Sequence, residues 1–84
     1  MVKEADCVAV FHSVHRVLKA EKILKEAGIA FALIPAPRQL SADCGLALCF
    51  APLERAGISE ILEGAGVAIA ELWVLETGKY RQIV

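Results

Sequence analysis

The chain is poor in the features that bind nucleic acid, cross a membrane or build a disulfide scaffold. Nine Lys and Arg stand against ten Asp and Glu, giving a formal net charge of −1, and the cations form no run. Contact with a phosphate backbone needs clustered Lys and Arg, so a nucleic-acid partner is not expected. No apolar stretch approaches the ~20 residues that span a bilayer. The first residues, Met1-Val2-Lys3-Glu4-Ala5-Asp6, are polar and acidic, unlike a signal peptide. Cys7, Cys44 and Cys49 are an odd count without framework spacing. With no export signal they read as cytoplasmic thiols and not as a disulfide framework. Paired C-x-x-C spacing is also missing, so structural zinc is not expected; His12, His15 and Cys44 are the residues that a metal would have to use.

What is present is a short, apolar chain. Its 84 residues are 57% hydrophobic, and repeats, linkers and low-complexity tracts are lacking. One domain, 1–84, follows from that length. A body so small has much surface for its volume, which predicts a shared apolar face, either in a homodimer or at a docking surface.

Cys7-Val8-Ala9-Val10-Phe11 is short and continuously apolar, the pattern of a buried central strand. Ser13 is a good N-cap for a helix over 14–27, in which Val14, Val17, Leu18, Ala20, Ile23, Leu24 and Ala27 recur at helical spacing. Gly28 supplies the stop. Residues 29–34 predict a second strand ended by Pro35, and 46–50 a third. Pro52 opens a second helix with Leu53, Ala56, Ile58, Ile61, Leu62 and Ala65 facing inward, closed by Gly64 and Gly66. A fourth strand over 67–75, a turn at Thr77-Gly78-Lys79 and a short last strand over 80–84 complete the chain. Strand-helix-strand-strand-helix-strand is the split βαβ order of a ferredoxin-like two-layer α+β sandwich. A TusA-like α/β sandwich, with a helix between every pair of strands, is the competing topology.

Between strands two and three lies the stretch Ile34-Pro35-Ala36-Pro37-Arg38-Gln39-Leu40-Ser41-Ala42-Asp43-Cys44-Gly45. Two prolines hold it extended and stiff, and Gly45 leaves room beside the Cys44 sulfur. In a ferredoxin-like sheet the first and third strands are antiparallel neighbours. His12, Ser13 and His15 then come to the same edge as Cys44, Arg38 and Ser41, with the positive end of the first helix. Those features lower a thiol pKa and favour the thiolate, although Asp43 opposes them. Arg38 has a local partner in Asp43, and Ser41 has a turn-closing role. Cys7 and Cys49 read as core residues, and Trp73 and Tyr80 as packing or dimer-interface residues.

The segment from Phe11 to Gly28, followed by Pro35-Ala36-Pro37-Arg38, Ser41 and Cys44-Gly45-Leu46-Ala47-Leu48, resembles the small bacterial family of selenium/sulfur carrier-like proteins. The resemblance covers roughly Asp6 to Val84, with Pro-x-Pro-Arg…Ser-x-x-Cys-Gly as its most distinctive part. It implies a carrier in which Cys44 holds sulfur or selenium, Gly45 gives access, and Arg38 and Ser41 support the loop. His15 matches a family position before the first helix, whereas Cys49 stands where a basic residue is common.

Two functions follow. In one, a cytoplasmic relay takes sulfane sulfur or selenium from a donor protein onto Cys44 and hands it to an acceptor. In the other, a non-catalytic module binds a protein or an anion at the same edge. Neither calls for a cofactor, and neither is a turnover enzyme.

Overall fold

The computed structural model describes residues 2–40 and 45–84. Five strands, β1 (Cys7–Val10), β2 (Ala32–Pro35), β3 (Leu46–Phe50), β4 (Glu71–Glu76) and β5 (Lys79–Gln82), form one antiparallel sheet in the order β2-β3-β1-β4-β5. Helices α1 (Val14–Glu26) and α2 (Arg55–Gly64) pack on one side of it. This is the ferredoxin-like arrangement with β5 added beyond β4. Because β2 and β3 are antiparallel partners, Pro35 facing Leu46, they form a hairpin; a helical crossover would have made them parallel. No helix among the described residues is long and apolar enough to cross a membrane.

β1 is the middle strand, and all four of its residues are buried. Alternation sends Cys7 and Ala9 to the helix side and Val8 and Val10 to the other. The helix-side core joins Cys7, Ala9, Leu48, Phe50 and Leu72 to Val17, Ala20 and Leu24 of α1 and Ile58 and Leu62 of α2. Each large side chain fully buried there contributes about 1.5–3 kcal/mol. Opposite the helices, Val8, Val10, Ile34, Ala47 and Cys49 form a second cluster closed by Leu40, with Val2, Ala36, Trp73 and Tyr80 packed against it. Trp73 and Tyr80 thus serve as packing residues on the sheet.

The α1 boundaries follow local chemistry. Ser13 caps the start, its Oγ accepting the Arg16 N–H at 3.2 Å. At the other end Ile29 N–H bonds to Leu24 O and Gly28 N–H to Lys25 O, a Schellman motif that needs the left-handed φ of +73° at Gly28. Pro35 ends β2 on an edge of the sheet, where its missing donor costs no ladder bond. Thr77 and Gly78, both at positive φ, make the two-residue turn between β4 and β5, with Glu4 Oε2 accepting the Thr77 N–H at 2.6 Å.

Several expected core positions are on the surface. Val14 and Leu18 are 46% and 45% exposed, and Leu53 is 89% exposed; Ala27, Ala56 and Ala65 are also exposed. Val14 and Leu18 share one line of α1, rotated off the row of Val17, Ala20 and Leu24 that meets the sheet. Pro52–Glu54 is a 3₁₀ turn leading into α2. Even in a continuous helix Leu53 would sit roughly 140° around from Ile58. The strands are also shorter than the apolar runs suggest: β2 starts at Ala32 and β4 at Glu71, while residues 29–31 and 67–70 are approach segments that still pack Ile29, Phe31, Val67 and Ile69 on the core.

Replacing Ser13 with Ala removes the cap and is expected to lower unfolding stability by about 1 kcal/mol. Chemical denaturation should show this as a lower midpoint at unchanged slope.

Candidate functional site

The β1–β3 register builds the site. Val10 lies opposite Ala47, so the end of β1 and the start of β3 share one edge of the sheet. Past Val10 the chain runs through Phe11 and His12 into the capped start of α1; before Ala47 it comes from Gly45 and Leu46. β2 ends at the same edge, where Ala36 N–H bonds to Gly45 O at 2.9 Å. β4 begins there too, with Ala70 N–H on Val10 O at 2.8 Å.

His12 and His15 are exposed at this edge, one before α1 and one in its first turn. That turn holds no acidic residue, so the positive end of the helix is not offset from within α1. Arg38 is exposed at the corner of a turn over 37–40, closed by Leu40 N–H on Pro37 O at 3.0 Å. Gly45 is exposed at φ +72°, and among the described residues no atom lies within 4 Å of where a Cβ would be. That left-handed backbone favours glycine, at a cost of about 1–2 kcal/mol for an L side chain. Cys44 and Ser41, and the Arg38–Asp43 pairing, lie outside the described residues. Among the described residues no cluster of three His, Cys, Asp or Glu could hold a metal ion; the third ligand that His12 and His15 would need, Cys44, is not one of these residues.

The two other thiols are placed differently. Cys7 is buried under the helices, and desolvation raises its pKa, with Arg55 lowering it and Asp6 adding a smaller push upward. Cys49 is 5% exposed on the opposite face of the sheet and donates to Asp6 Oδ2 across 3.7 Å. Burial, the Asp6 charge and this hydrogen bond push it up to about 11. The same Asp6 oxygen accepts the Lys3 N–H, and Val2 packs on the cluster around Cys49, so the first residues cover this thiol. Thiolate being the nucleophile, burial disfavours the reactive form of both groups.

Two parts of this arrangement go beyond the sequence reading. The covering of Cys49 by Asp6 depends on a contact between residues 43 positions apart. Leu40 is 4% exposed, within the opposite-face cluster. A lone apolar residue inside a Pro- and polar-rich loop was the available signal for it.

A family model described as "Putative Se/S carrier protein-like" matches residues 6–74. No curated protein and no solved structure matches the chain.

The raised Cys49 pKa has a consequence for stability. Folded Cys49 keeps its proton where an unfolded thiol has lost it, so its contribution is complete below about pH 9 and is lost as pH rises towards 11. Urea denaturation between pH 8 and 11 should show a fall of about 2 kcal/mol from this group, flattened in Cys49→Ala.

Proposed function

The chain belongs to the Se/S carrier-like protein family, and from that premise we propose that it carries sulfane sulfur or selenium on Cys44 between a donor and an acceptor protein. The observation that carries this reading is the state of the other thiols. The sequence has three cysteines. Cys7 and Cys49 are buried in strands and held protonated, which leaves Cys44 as the thiol for exchange chemistry. Its neighbour Gly45 is exposed, at the edge where α1 presents its N-terminus and where His12, His15 and Arg38 are exposed.

In the loading step the Cys44 thiolate attacks the terminal sulfur of a donor persulfide. The donor S–S bond breaks, its inner sulfur leaves with the bonding pair as a thiolate, and a new S–S bond forms on Cys44. A nucleophile of the acceptor then takes the terminal sulfur in the same way and returns Cys44 as thiolate. Sulfur moves at unchanged oxidation level, so the cycle consumes no oxidant; a perselenide donor would pass selenium by the same displacement. Arg38 and the start of α1 favour the anionic sulfur, Ser41 supports the loop, and Gly45 keeps its approach open. Thiols that must stay reduced suit the cytoplasm as the place of exchange. Homodimerisation belongs to the same reading, supported by the exposed apolar side chains of Val14, Leu18 and Leu53.

The pH dependence of iodoacetamide alkylation, read at each cysteine of the native protein, tests the assignment. Cys44 is expected to react selectively, with an apparent pKa well below the ~8.5 of a free thiol, and Cys7 and Cys49 to stay slow. Arg38→Ala should move the Cys44 profile to higher pH. A Cys44 as slow as the other two would contradict the carrier reading and favour a binding module.

A further inference from the structure

Strands β2 and β3 pair directly at Pro35 and Leu46, yet residues 36–45 separate these two positions. A two-residue turn closes an antiparallel hairpin, so the extra length needs something to hold it. Its described residues are held at three points. Ala36 N–H on Gly45 O closes the base, and Leu40 N–H on Pro37 O closes the turn that carries Arg38. The Leu40 side chain is buried against the sheet face away from the helices, in one cluster with Ile34, Ala47, Val8, Val10 and Cys49. Prolines at 35 and 37 stiffen the arm leading to it.

Leu40 is thus buried within the connection, between its exposed turn residues Arg38 and Gln39 and the exposed Gly45. Its burial decides where the Arg38 turn sits and from where the chain departs towards Cys44. We infer that Leu40 is a positioning residue, an anchor on the sheet that holds the Arg38 turn in place and through Arg38 acts on the Cys44 thiol.

This inference rests on the carrier reading, and its test keeps the two apart. Leu40→Ala and the milder Leu40→Val are compared with wild type by cysteine-resolved alkylation across pH and by amide exchange at Ala36. Cys7, on the other face of the sheet, reports whether the fold is intact. With the fold intact, the Cys44 profile is expected to move towards that of a free thiol, about tenfold slower at pH 7, and Ala36 exchange to quicken. Leu40→Met, which keeps the volume, should restore both. If Leu40→Ala exposes Cys7, Leu40→Val carries the comparison. Profiles and exchange that superimpose on wild type with Cys7 protected would overturn the anchor. If wild-type Cys44 already behaves as an ordinary thiol, the carrier reading fails, and Ala36 exchange decides the anchor by itself: faster in the variants supports it, unchanged overturns it.

Discussion

The antiparallel pairing of β1 with β3 is the constraint on which the rest depends. It sets the middle of the sheet, and by placing Val10 opposite Ala47 it brings the start of α1 to the edge at which the β2–β3 connection returns. The pairing is held from both sides. Cys7, Ala9, Leu48 and Phe50 are covered by the helices, while Val8, Val10, Ala47 and Cys49 are covered by Leu40, Val2 and the aromatics of β4 and β5. A slip of one residue would exchange these two sets. The chemistry proposed for the edge therefore depends on a register fixed by two separate cores.

That organisation also divides the thiols. A cysteine within a strand of this sheet is desolvated, and Cys49 is further held by the Asp6 carboxylate; both effects favour the protonated form. Cys44, in the β2–β3 connection, has a different sequence context, next to a glycine whose backbone is left-handed. For a carrier this separation matters, because sulfur should load at one thiol only. Position 49, where a basic residue is common in the family that the chain resembles, is occupied by a buried thiol. Cys49 faces away from the helices beneath the first residues of the chain, bonded to Asp6.

Much of the fold was legible in the sequence for local reasons. The apolar run that starts at Cys7 holds the central strand, Cys7–Val10, Ser13 caps α1, Gly28 and Gly66 sit at its end and that of α2, and Thr77-Gly78 makes the last turn. These features depend on chain chemistry within a few residues. The helix faces were only partly legible: periodicity groups apolar residues but does not say how wide a strip the sheet will cover, so Val14, Leu18 and Leu53 were assigned to a core that ends before them. Strand ends were overrun because Ile29, Phe31, Val67 and Ile69 pack on the core without pairing in a strand. For the site, the strand order puts the start of α1, with His12 and His15, at the edge where Gly45 leads into β3. The burial of Leu40 and the Asp6–Cys49 bond were hidden, since each joins segments that only the completed sheet brings together.

The most direct test of the central claim is site-resolved mass spectrometry of the native protein after exposure to a protein persulfide, followed by a thiol acceptor. The account predicts one added sulfur atom on Cys44, none on Cys7 or Cys49, and its loss to the acceptor with return of the unmodified thiol. Sulfur spread over the cysteines, absent from Cys44, or bound there without passing on would contradict it.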